Sequence, residues 1–128
     1  MRRAAVGVVL VSHSAGLAAE TALLAAGICG GTAPIAAAGG DGEGGLGTSA
    51  DLISAAIGEA DRGGGVVLIA DLGSSVLTAR LLQEPGSVVV ADAPFVEGAI
   101  AAAVTAGGGA TLPEVVAAAE EARGFRKL

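Results

Sequence analysis

His13 is the only histidine in the 128-residue sequence, and it stands between two serines directly after the apolar run Val6-Gly7-Val8-Val9-Leu10-Val11. Histidine is the side chain whose neutral form is plentiful near neutral pH, so a ring nitrogen is available there as nucleophile, base or hydrogen-bond partner. A second apolar run, 66–70, ends in Asp71-Leu72-Gly73-Ser74-Ser75. A carboxylate that holds the hydrogen of one ring nitrogen decides which nitrogen keeps its lone pair. It also steadies the positive charge that grows when that lone pair forms a bond. If the bond is to phosphorus, the incoming group is an anion, and the open amides of a helix beginning near Ser14, or around Gly73, Ser74 and Ser75, suit it. Ser12, Ser14, Ser74 and Ser75 add hydroxyl donors. The pattern suits His13 as a nucleophile, for instance one that accepts a phosphoryl group, with Asp71 orienting the imidazole.

Plainer readings fit the same residues. Asp71 could simply cap the following helix through the amides of Gly73 or Ser74, and His13 could be a hydrogen-bond donor in a noncatalytic module that binds a small anion. Neither a G-x-G-x-x-G nor a G-K-[ST] pattern is present to mark a nucleotide loop. One His and one Cys supply no metal ligand set, so no metal and no bound cofactor are expected. Cys29 stands alone, which excludes an intramolecular disulfide and suits a reducing cytoplasm. The net charge of −6, with its seven basic residues scattered, offers no stripe for a phosphate backbone and excludes nucleic acid as a partner. Such an acidic balance serves solubility and would also suit a basic protein.

Periodicity and punctuation place these residues on alternating short apolar runs and longer amphipathic ones, the mark of an α/β chain. Strands are predicted over 5–11, 33–38, 66–70 and 87–91. The first helix is predicted over 15–26, with Leu17, Thr21 and Leu24 on one face and Gly27 as its stop. Gly39-Gly40-Asp41-Gly42-Glu43-Gly44-Gly45 reads as a loop. A helix starting at Thr48, with Asp51 completing an imperfect capping box, turns Leu52, Ile53, Ala56 and Ile57 inward. A third helix runs from Ser74 or Ser75 to Gln83 and is closed by Pro85-Gly86. Pro94 opens a fourth over 95–106. Thr111-Leu112-Pro113-Glu114 is the strongest helix start in the chain, with Arg123, Arg126 and Lys127 at that helix's negative end.

Right-handed crossovers then give one domain over 1–128, a three-layer doubly wound α/β fold. Its sheet is mainly parallel, in order 2-1-3-4, with helices on both faces. In that order the first and third strands are neighbours whose helices leave in opposite directions, so His13 and Asp71 meet at the switch point where such sheets bind ligands. Two features imitate membrane or export signals. Arg2-Arg3 before the apolar 4–11 resembles a signal peptide, but cleavage would remove the best strand. Residues 21–40 carry no charge, but Gly27, Gly30, Gly31 and Pro34 divide them into pieces too short to span a bilayer.

Val9-Leu10-Val11-Ser12-His13-Ser14 resembles the phosphohistidine segment of the dihydroxyacetone kinase phosphotransfer subunits (DhaM), relatives of the mannose-type enzyme IIA proteins of the phosphoenolpyruvate-dependent phosphotransferase system. Gly47-Thr48-Ser49, Asp71-Leu72-Gly73-Ser74 and Ala93-Pro94-Phe95-Val96-Glu97-Gly98 resemble further family stretches in the same order along the whole chain. The resemblance implies that a phosphorylated histidine carrier protein, separate from this chain, donates phosphate to His13. His13 then passes it to ADP held on a nucleotide-binding kinase subunit, so that ADP/ATP belongs to the partner. Asp71 matches the family carboxylate, and Ser14, Gly73 and Ser74 match flanking loop positions where phosphate is bound. The resemblance also implies a homodimer. The sugar-transporting mannose-type enzyme IIA is the near alternative, and Asp71-Leu72-Gly73-Ser74 favours the kinase branch. The loop at 39–45 is more glycine-rich than the family pattern.

Overall fold

The computed structural model describes residues 3–128; Met1 and Arg2, and with them part of the Arg2-Arg3 start, lie outside the described residues. The chain alternates β1 (Gly7–Ser12), α1 (Ala15–Cys29), β2 (Ile35–Gly39), α2 (Ala50–Ala60), β3 (Val66–Ala70), α3 (Gly73–Leu81), β4 (Val88–Val90), α4 (Phe95–Gly107) and α5 (Leu112–Glu121), with a short 3-10 turn at Ala122–Gly124. The four strands form one parallel sheet in the predicted order β2-β1-β3-β4. In register, Ser12 sits opposite Gly39 and Val11 opposite Ala70, so β1 and β3 deliver His13 and Asp71 side by side at the carboxyl edge.

Side chains alternate across a strand, and the two faces carry separate cores. Val8, Leu10, Val67 and Ile69 pack with Ala99, Ala102, Val115 and Ala119 of α4 and α5, and Ala22 of α1 joins this side. Val9, Val11, Val66 and Leu68 pack with Ile53, Ala56 and Ala60 of α2 and Ala79 of α3. The central strands are enclosed on both faces, which is why they read as unbroken apolar runs. No helix among the described residues is long and apolar enough to cross a membrane.

Several local expectations are corrected. α1 runs through Gly27 and ends at Gly30, whose φ of 67 supplies the left-handed stop, its amide donating to the Ala26 carbonyl. The buried face of α1 is Ala18, Thr21 and Ala25, while Leu17, Leu24 and Ile28 face outward. α2 is capped by Ser49 rather than Thr48, its Oγ accepting from Leu52 N, and Leu52 is on the outside. α3 begins at Gly73, earlier than Ser74. The Thr111/Glu114 capping box is present in both directions. At the other end of α5, Arg123 donates to the Glu120 carbonyl, whereas Lys127 pairs with Glu97 of α4.

Candidate functional site

Where β1 stops, the chain turns directly into α1, and His13 is held at that corner from three sides. Its amide donates to Asp71 Oδ2 at 3.1 Å, and its carbonyl accepts from Gly47 N at 3.0 Å. Its ring Nδ1 lies 3.0 Å from Asp71 Oδ1. Ser75 Oγ lies 3.1 Å from the same nitrogen, and Ser74 Oγ lies 2.6 Å from Nε2. The structure therefore brings together His13, Asp71 and Ser74 as the sequence predicts. The ring is partly exposed, with 27% of the side chain open to solvent, against 8% for Asp71.

Asp71 does not cap α3 through the amides of Gly73 or Ser74. One of its oxygens, Oδ1, accepts from Leu72 N at 2.7 Å and faces the imidazole; the other, Oδ2, accepts from Ser12 Oγ at 2.8 Å and from the His13 amide. Burial alone would raise the carboxyl's pKa. Hydrogen bonds outweigh it and bring the value down to about 2: first the Ser12 hydroxyl, then the His13 amide, then Ser75 and the His13 ring. An ionised carboxylate can only accept, so Nδ1 carries the ring hydrogen toward it and Nε2 keeps the lone pair of a neutral imidazole.

The hydroxyls divide into two kinds. Ser14 Oγ accepts from Leu17 N as the N-cap of α1, while the Ser14 amide donates to Ser12 Oγ. The turn into α3 is different: its N-cap, Leu72, has no side chain to offer, and the first helical bond is Val76 N to Leu72 O. The amides of Gly73, Ser74 and Ser75 thus precede the helical ladder and form an anion-accepting end beside the ring. Ser12, expected as a donor to an anion, is instead fully buried behind His13.

The glycine-rich loop is tied to the site. Asp41 Oδ1 accepts from Glu43 N and Gly45 N, and the closed loop presents Gly47 N to the His13 carbonyl. At the end of β2, Gly39 lets the chain pack closely against the start of α1, since a Cβ there would collide with the backbone of Ser14 and Ala15. Three exposed leucines lie close in sequence to the groups that hold His13: Leu17 in the first turn of α1, Leu46 beside Gly47, and Leu72 beside Asp71, exposed by 44%, 79% and 66%. A cleft of about 540 Å³ opens on the far side of Asp71, among Val76, Arg80, Gln83, Val90 and Asp92, and His13 is not one of its walls. The ring thus stands at a partly exposed rim, outside that cleft.

A family model described as EIIA-man, PTS system fructose IIA component, matches residues 7–116. The chain is 33% identical over 105 residues to the PEP-dependent dihydroxyacetone kinase 2, phosphoryl donor subunit DhaM, of Listeria innocua serovar 6a (strain ATCC BAA-680 / CLIP 11262), covering 77% of this chain and 84% of that one. Among solved structures it resembles the crystal structure of EF1359, a protein of unknown function, with a TM-score of 0.81 and 31% identity over 100% of this chain and 99% of the other.

Proposed function

The chain belongs to the EIIA-man family of phosphotransferase-system components, a DhaM-like mannose-type enzyme IIA protein, and from that premise we propose that it is a phosphohistidine relay between two other proteins. The donor is a phosphorylated histidine carrier protein, and the acceptor is ADP on the nucleotide-binding subunit of a dihydroxyacetone kinase. The DhaM relative, a phosphoryl donor subunit by name, supports that acceptor. The single observation that carries the reading is the His13 ring, its Nδ1 fixed against an ionised Asp71 and its Nε2 at the open rim.

In this reading the Nε2 lone pair attacks the phosphorus of the donor's phosphohistidine. The new N–P bond forms as the donor's N–P bond breaks, and the donor imidazole leaves with the electron pair. Nδ1 keeps its hydrogen throughout, and Asp71 balances the charge left on the ring. Ser74 Oγ, already beside Nε2, and the Gly73 and Ser74 amides take the phosphoryl oxygens. Ser14 holds the start of α1 while keeping its hydroxyl hydrogen free to donate. In the second half an ADP β-phosphate oxygen attacks, the Nε2–P bond breaks, and ATP forms on the partner. Leu17, Leu46 and Leu72 give a docking protein apolar surface around the ring. We extend the proposal to a cytoplasmic homodimer, for which the outward Leu24 and Ile28 of α1 supply uncharged surface.

Incubation with phosphoenolpyruvate, enzyme I and the carrier protein tests the first half. Acid-labile, alkali-stable phosphate is expected on His13 and on no position of His13→Ala. Unlabelled wild-type protein would leave the noncatalytic anion-binding reading in its place. Adding the ADP-loaded kinase subunit should discharge the label within one turnover, and a label that persists would point to a sugar-transport acceptor.

A further inference from the structure

We infer that Ser12 is a positioning residue for His13, a buried strut that fixes the carboxylate of Asp71 and through it the ring tautomer. The inference takes the imidazole to be the phosphoryl carrier proposed above and assigns the group that holds it ready.

The direction of the hydroxyl follows from its two partners. Ser14 N donates to Ser12 Oγ at 3.0 Å, which occupies a lone pair and leaves the single hydroxyl hydrogen for Asp71 Oδ2 at 2.8 Å. Strand geometry makes the contact unavoidable. Ser12 continues the side of β1 that carries Val8 and Leu10, and Asp71 continues the side of β3 that carries Val67 and Ile69, so both point to the face covered by α4 and α5. His13 continues the opposite side, toward Ser74 and Ser75 of α3. The carboxylate therefore reaches across the sheet edge to the ring, with Oδ1 also held by the Leu72 amide and Oδ2 pinned from behind.

Oδ2 has two donors, Ser12 Oγ and the His13 amide. Of the two, the Ser12 hydroxyl makes the shorter contact, 2.8 Å against 3.1 Å, and it is fully enclosed. Among the described residues no buried side-chain polar atom lacks a partner, so the strut is satisfied at both ends. Without it Oδ2 keeps only the longer contact with the His13 amide while Oδ1 keeps the Leu72 amide, so the carboxylate is held less firmly and the preference for a hydrogen on Nδ1 weakens. A ring protonated at Nε2 has no lone pair at the rim.

The test is Ser12→Ala in the full chain, with ring ¹⁵N chemical shifts of His13 as the primary readout. Wild type should show the Nδ1–H tautomer, and the variant a mixture of both. Phosphorylation by the carrier protein should slow roughly tenfold, the low end of what loss of an outer partner costs a functional histidine. If the alanine variant does not fold, Ser12→Cys keeps the volume with a far weaker donor and should shift the tautomer in the same sense. A variant that melts earlier but keeps the Nδ1–H tautomer would reduce Ser12 to a structural residue and overturn the inference. Failure of the relay itself would show in wild type, as absence of label with the tautomer intact, and so is distinguishable.

Discussion

The turns that lead from β1 into α1 and from β3 into α3 have the same architecture and opposite uses of the same chemistry. Both leave the carboxyl edge of a central strand, and both are rich in serine. At the first turn the polar groups close on themselves: Ser14 caps α1, and the Ser14 amide is taken by Ser12. At the second, Asp71 stands where a capping residue would serve. It is drawn away to Ser12 and His13, and Leu72 is left as a cap with nothing to give. The first turn holds a 15-residue helix, the second a 9-residue one whose opening hydroxyls, those of Ser74 and Ser75, face the imidazole. Local hydrogen bonding is closed at the turn that carries His13 and left open at the turn into α3.

Breaking the second turn should cost activity, and breaking the first should cost stability. Asp71→Asn is expected to have the largest effect, slowing phosphorylation of His13 by about 10²–10⁴-fold, since an amide can present its NH₂ to Nδ1 and stabilise the wrong tautomer. Single-turnover labelling by the carrier protein measures it. The same substitution has a signature in acid. The Asp71 pKa is lowered to about 2 in the folded protein, so its stabilisation is complete above the unfolded value near 4 and is lost as pH falls through the folded one. Unfolding free energies of wild type and Asp71→Asn, from denaturant titrations, should therefore converge by about 2 kcal/mol between roughly pH 5 and pH 2.

Ser14→Ala attacks the closed turn. It should lower stability by about 1 kcal/mol through loss of the α1 cap, read as a shift in urea midpoint, with labelling changed much less than in Asp71→Asn. The smallest effect sharpens the contrast from the other side. Leu72→Ser gives α3 the side-chain cap it lacks and should raise stability by roughly 0.5–1 kcal/mol. An unchanged midpoint would mean that the amides of Gly73 to Ser75 are not open for capping.

The strand order, the parallel sheet and the meeting of His13 with Asp71 were legible because they follow from unbroken β-branched runs and the handedness of crossovers. The face of α1 was not. In a helix whose residues are chiefly alanine, leucine and glycine, periodicity finds no contrast, and the inward side went to Ala18, Thr21 and Ala25 because small side chains fit beneath a closely packed helix. Gly27 was misread as a stop for a related reason: an exposed glycine with helical neighbours is tolerated, and only a left-handed φ, found at Gly30, ends the helix. The function of Ser12 was hidden by strand alternation. Its type suggested an anion ligand, whereas its parity with Val8 and Leu10 places it behind the carboxylate. That signal was available by counting along β1 and β3 together.

Ala18 and Ala25 are fully enclosed beneath α1, and their consequence reaches the imidazole. The helix rides only as far above the sheet as methyl-sized side chains require, and its N-cap, Ser14, directly follows His13. Ring elevation over the strand edge is thus shimmed by groups that do no chemistry. A bulkier residue at position 18 would jack up the helix mouth and shift the imidazole from one turn away.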